Sequence, residues 1–168
     1  MSLDNHFSLL NLPKQFDLSQ EALEQAWKQA SSRVHPDRFA TASAAEKRVA
    51  VQWAARVNDA YQTLKNPLSR AAYMCELAGF PIEAESNTAM GTEFLMTQMQ
   101  WREQLDAVRN DSQRHGLDAL LLEIQAKQLE LFDEMKHLID ARQDYAGATK
   151  RVREWMFVNK MHQEVKAL

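Results

Sequence analysis

The chain has 168 residues, of which 45% are apolar and 26% charged; these are globular values and exclude a disordered chain. Net charge is −3, with nine basic and eight acidic side chains in residues 1–78 and eleven and fifteen in residues 79–168. Neither half carries the positive field that nucleic acid demands, so no nucleic-acid partner is expected. Four glycines, four prolines and one cysteine exclude a turn-rich β-fold, a disulfide framework and a cysteine-built zinc site.

No stretch approaches the length of a membrane span. The opening Met1-Ser2-Leu3-Asp4-Asn5-His6 has neither the basic start nor the apolar run of a signal peptide. A soluble protein in a reducing, cytoplasmic compartment is the expectation, with no membrane partner.

Glycines and prolines read as punctuation between segments of helical period, and no segment sustains a period of two, so the fold class is all-α. Asp4 to Leu12 predicts a short first helix, with Phe7, Leu10 and Leu9 inward and Pro13 as its stop. A second helix runs from Ser19, its N-cap, to Val34, burying Leu23, Trp27, Ala30 and Val34. His35-Pro36 ends it, because the residue before a proline is pushed out of the α region. Ser43 to Glu46 forms a capping box for a third helix that reaches Lys65, with Val49, Trp53, Val57, Ala60, Tyr61 and Leu64 inward. Asn66-Pro67 starts a fourth helix over 67–78, which Gly79 closes.

Residues 80–91 show no period and read as a linker. Three longer helices follow, over roughly 92–110, 117–142 and 145–167, joined by short turns and therefore antiparallel. The chain thus divides into 1–79, 80–91 and 92–168. Each helical unit is near the size at which a lone core is marginal, so docking of the two through Tyr73, Leu77 and Phe80 is a further expectation.

Two features exceed what a helical scaffold needs. The first is His35-Pro36-Asp37, a rigid bend between two long helices with Lys28, Arg33 and Arg38 nearby. The bland reading is turn chemistry and a solvated helix face. The second lies on the helix after Gly91. At 100° per residue, with Phe94 at zero, Trp101, Leu105 and Val108 fall within about 40° of it and make an inward stripe. Leu95, Met99 and Met96 fall at about 100°, 140° and 200°, a surplus apolar patch. On the last helix Tyr145, Ala148, Val152 and Trp155 face inward and Phe157 lies opposite. Here the bland reading is a misplaced core stripe.

The bend with its flanking helices resembles the J-domain of the DnaJ superfamily. Phe7-Ser8-Leu9-Leu10-Asn11-Leu12-Pro13, Phe16 and Leu18, Leu64 to Tyr73 (LKNPLSRAAY) and Glu93 to Met99 (EFLMTQM) are similar to the HscB co-chaperones of iron–sulfur cluster assembly. The resemblance implies an N-terminal J-domain helical hairpin and a C-terminal three-helix bundle. It implies that His35, Pro36, Asp37, Lys28, Arg33 and Arg38 engage an HscA-type ATPase chaperone. It further implies that Leu95, Met96, Met99 and Phe157, with Glu103 as acidic neighbour, bind an IscU-type scaffold protein. Gln100 and Ala107 stand where acidic residues are expected, so the polar part of that contact departs from the family pattern.

No P-loop, dinucleotide fingerprint or metal-ligand spacing among His6, His35, His115, His137 and His162 is present, so neither cofactor nor metal is expected. Cys75 reads as a packed residue. An enzyme using His35 and Asp37 as an acid–base pair lacks a nucleophile or metal to complete it. A general J-protein, or a helical adaptor delivering another client, is the other alternative.

Overall fold

A computed structural model describes residues 5–82 and 90–168, and it falls into two compact units, Met1–Tyr73 and Met74–Leu168. Among the described residues there are seven α-helices and no strand. They are α1 His6–Leu9, α2 Gln20–Arg33, α3 Ala44–Lys65, α4 Pro67–Leu77, α5 Thr92–Asn110, α6 Leu117–Met135 and α7 Tyr145–Lys166. A 3-10 turn, Pro36–Phe39, lies between α2 and α3, and α6 continues as a π-helical stretch, Lys136–Ala141. Most of the segment read as a linker, 83–89, lies outside the described residues, as does Asp4.

In the first unit α2 and α3 pack as a hairpin. Leu23 and Ala30 of α2 meet a core that includes Ala50, Val57, Ala60, Tyr61 and Leu64 of α3. Trp27 stacks on Tyr61 with centroids 4.9 Å apart, and its indole N–H donates to the Asn58 side chain at 3.0 Å. Helix α1 is shorter than the sequence predicts. Asn5 and Ser8 cap its start reciprocally, and Asn11 ends it in the left-handed region at φ 55. Phe7 and Leu10 are nonetheless buried as expected. Tyr73 stacks on His6 at 4.3 Å and accepts a hydrogen bond from its backbone N–H at 2.9 Å.

Ser19 and Ser43 cap α2 and α3 through their hydroxyls, which accept from the backbone N–H of Ala22 and Glu46 at 3.1 and 3.2 Å. Of the box predicted at Ser43, only this half forms. Asn66 caps α4 by accepting from Leu68 N–H at 2.9 Å. Val49 is a correction: it is half exposed, and Ala50 takes the buried place. The inward arc of α3 is rotated by one residue at its first turns.

In the second unit α5, α6 and α7 form the bundle. Phe94, Trp101, Leu105 and Val108 of α5, Leu120, Ile124, Leu131 and Met135 of α6, and Ala148, Val152, Trp155 and Val158 of α7 are buried. The inward stripe expected on α7 holds for its first half except Tyr145, which is only half-buried. Beyond Trp155 the stripe swings round to Val158, Met161 and Val165, so α7 buries more of its circumference than a single stripe allows. Cys75 is free and fully buried; burial pushes its thiol up, only partly opposed by a hydrogen bond with Thr149 of α7. That keeps it a neutral packing residue. No described helix is long and apolar enough to cross a membrane.

Candidate functional site

The bend is built by a stop and a restart of helix. Val34 closes α2 out of helical geometry, and His35 takes an extended conformation, φ −63 and ψ 136, ahead of Pro36. Pro36, with its fixed φ, opens the 3-10 turn, and the His35 ring caps it, Nδ1 accepting from Asp37 N–H at 3.3 Å. The same Nδ1 lies 3.5 Å from the Asp37 carboxylate. It can serve only one of these partners: a bare nitrogen accepts from the amide, a protonated one donates to the carboxylate.

The tip is presented to solvent. The Asp37 side chain is 92% exposed and that of His35 58%. Pro36, Arg38, Lys28 and Arg33 are exposed too. Lys28 and Arg33 lie five residues apart on α2, about 140° on the helical wheel, and so do not form one stripe. Arg33 and Arg38 flank the tip on either side in sequence, and Lys28 sits more than one turn back. Below the tip, Val34 and Phe39 line an apolar pocket of about 280 Å³ with Ala45, Val49, Ala50 and Trp53. Phe39 thus puts an aromatic ring on the same pocket as α3, and no periodicity in the sequence marks it.

In the bundle, the surplus patch on α5 is exposed: Leu95 by 38%, Met96 by 60% and Met99 by 65%. Phe157 of α7 is half-buried. Leu95, Met99 and Phe157 come together in a groove of about 400 Å³ between α5 and α7, floored by Trp101, Val158 and Met161. Trp101 is fixed there by its indole N–H, which donates to Glu123 of α6 at 3.1 Å. Met96 and Glu103 do not line the groove; they lie farther round α5, both exposed.

The polar lining of the groove was not legible in the periodicity. It consists of Gln98 and Arg102 of α5 and Lys160 of α7. Arg102 is paired in a two-pronged contact with Glu164, 2.6 and 3.3 Å, and Arg109 reaches the same carboxylate at 3.4 Å. The hydrogen bond from Arg102, with the charges of Arg102, Arg109 and Lys160, holds the Glu164 carboxyl below its usual range against the opposing effect of burial. A wider cleft of about 850 Å³ on the other flank of α5 pairs Lys127 with Glu130 at 3.3 Å and Arg151 with Glu154 at 2.8 Å, and is lined also by Glu93 and Lys150.

Known proteins carry the same two parts. The DnaJ domain family matches residues 5–73, and a family described as the HSCB C-terminal oligomerisation domain matches residues 90–166. The co-chaperone protein HscB homolog of Bordetella avium is 51% identical over 168 residues, covering 100% of this chain and 99% of that one. That of Bordetella pertussis is 53% identical over 167 residues, covering 99% and 97%. Among solved structures, chaperone HscB from Vibrio cholerae superposes with a TM-score of 0.84 at 35% identity over 98% of this chain and 96% of its own. The human co-chaperone protein HscB gives 0.88 at 26% identity, over 99% and 83%. With both family domains in order and such identity along the whole length, the chain belongs to the HscB family, J-domain co-chaperones that work with a DnaK-type chaperone in iron–sulfur cluster assembly.

Proposed function

We propose that the protein stimulates the ATPase of an HscA-type chaperone through its bend and brings to it an IscU-type scaffold held on the bundle. In this reading 1–79 is the J-domain, 80–91 a linker and 92–168 the scaffold-binding bundle. His35, Pro36 and Asp37 make the triggering contact, with Lys28, Arg33 and Arg38 as its electrostatic frame. Leu95, Met99 and Phe157 seat the scaffold's apolar side chains, Met96 extends that surface outward, and Glu103 supplies an acidic edge. The protein itself is not an enzyme. It works in the cytoplasm without cofactor, membrane or nucleic acid.

The observation that carries this reading is exposure of both features, one in each unit: a solvated acid-bearing bend held by a proline, and apolar side chains gathered at a groove beside an otherwise well-filled core. Exposed ion pairs contribute only about 0.2–1 kcal/mol each, so the chaperone contact is weak and salt-sensitive. Joining two weak contacts in one chain raises effective concentration and makes ATP hydrolysis conditional on the client.

The test is steady-state ATPase of the cognate HscA-type chaperone, titrated with this protein in the presence and absence of scaffold. Asp37→Ala is expected to abolish stimulation with an unchanged far-UV spectrum, since the side chain supports nothing in the core. A variant that stimulates as well as the parent would leave the bend a plain turn and the protein an adaptor of another kind.

A further inference from the structure

The groove on the bundle has unlike edges, and the difference says what it can hold. Around α5, with Phe94 at zero, Arg102 falls at about 80°, Leu95 at 100°, Met99 at 140° and Glu103 at 180°. The two apolar side chains therefore sit between a cationic flank, which faces α7, and an acidic flank, which faces outward. On the α7 side Arg102 and Arg109 share the Glu164 carboxylate, and Arg109 is also 3.8 Å from Asp106. Those charges are mutually satisfied. Lys160, which lines the groove one helical turn before Glu164, is exposed; its charge acts on that carboxylate but makes no ion pair within 4 Å among the described residues. It leaves this wall with one positive charge in excess. Glu103, just outside the groove and one helical turn beyond Met99 on α5, has no cation within ion-pair distance among the described residues, and it leaves the surface on that side negative.

We propose that the groove takes an apolar peptide segment of fixed polarity, with a carboxylate beside Lys160 and a basic group beside Glu103, and that Lys160 is the residue that sets this orientation. The proposal rests on the groove being the scaffold-binding surface and specifies the chemistry of the segment it selects. A segment bound the other way round would place its carboxylate against Glu103 and its cation against Lys160. Such like-charge juxtaposition penalises a wrong partner or a wrong register more than the matched pairs raise affinity.

Calorimetric titration of the full-length protein with the scaffold, at low and at raised ionic strength, tests it. Lys160→Glu is expected to weaken binding about two- to fivefold at low salt, the range set by rim charge pairs. The deficit should shrink as salt rises, because the pair is screened. Lys160→Met, which keeps the apolar stem, should fall between. Unchanged or tighter binding by Lys160→Glu would overturn the polarity. The triple variant Leu95→Ala, Met99→Ala, Phe157→Ala separates the two readings. Normal binding by the triple variant would remove the groove as the scaffold site and the polarity with it. Loss in the triple variant beside normal binding by Lys160→Glu would remove the polarity alone.

Discussion

Arg70 is 2% exposed, yet it carries a full charge. Its guanidinium donates from Nη1 to the Leu64 carbonyl at 2.8 Å and lies 5.1 Å over the Phe16 ring. One side chain thereby closes the corner from α3 into α4 and pins the loop that carries Phe16. Phe16 and Arg70 both belong to the segments that resemble the HscB family, and here they have a physical reason to occur together. Arg70→Ala leaves a buried carbonyl without its donor and a void beside Phe16, which costs about 2–4 kcal/mol. Denaturant unfolding followed by tryptophan fluorescence would register this as a lowered midpoint; an unaltered midpoint would show that the guanidinium is dispensable. Asp37 is the opposite case. It is nearly fully solvated, so its replacement is expected to touch the partner and not the fold.

The helices divide according to how many faces each must bury. Helix α5 needs one face for the bundle, and Phe94, Trp101, Leu105 and Val108 supply it at spacings that the sequence displays openly. Its second apolar patch then has no internal use, which is why the spacing of Leu95, Met96 and Met99 already marks a surface. Helix α7 defeats the same logic. Its buried positions swing from Ala148 and Val152 to Met161 and Val165, and a wheel drawn on the first half misplaces the second. The part of the groove that α7 supplies through Lys160, Val158 and Met161 was therefore invisible in the pattern. If the α5 patch is an outer surface, the triple alanine variant at Leu95, Met99 and Phe157 should lose scaffold affinity about tenfold or more. Its stimulation of the chaperone without scaffold should persist. Simultaneous loss of both, with a collapsed thermal transition, would mean that these side chains are structural.

Across the whole molecule, stability should fall on mild acidification. His6, against Tyr73 in the first unit, is held below its usual range chiefly by burial and secondarily by Arg56, with Asp59 opposing. His162, on α7, is lowered by burial and by Lys166, and its Nε2 is buried without a hydrogen-bond partner. Unfolded, each imidazole takes up a proton near pH 6.5, whereas folded it resists until lower pH. The unfolded state binds more protons in that window, so the stability contribution present above pH 6.5 is lost as pH falls through the folded values. Glu164 adds to the loss once the pH drops below its ordinary range, because Arg102 favours its ionised form. Thermal midpoints recorded between about pH 7.5 and 5 should decline, and His162→Gln should flatten part of the slope. A midpoint that rose on acidification would contradict both assignments.

Helix content, most helix ends and the two exposed features were readable along the chain, the extent of α1 being an exception. They depend on local rules: a proline forbids the turn before it, a serine or asparagine side chain satisfies free backbone N–H groups, and a 3.6-residue period lays out a face. Phe39 under the bend, Ala50 in place of Val49, the swing of the α7 stripe and the polar lining of the groove were not readable in this way. Each depends on which neighbouring helix a flank happens to meet, and packing in three dimensions fixes that relation where a helix's own spacing leaves it open.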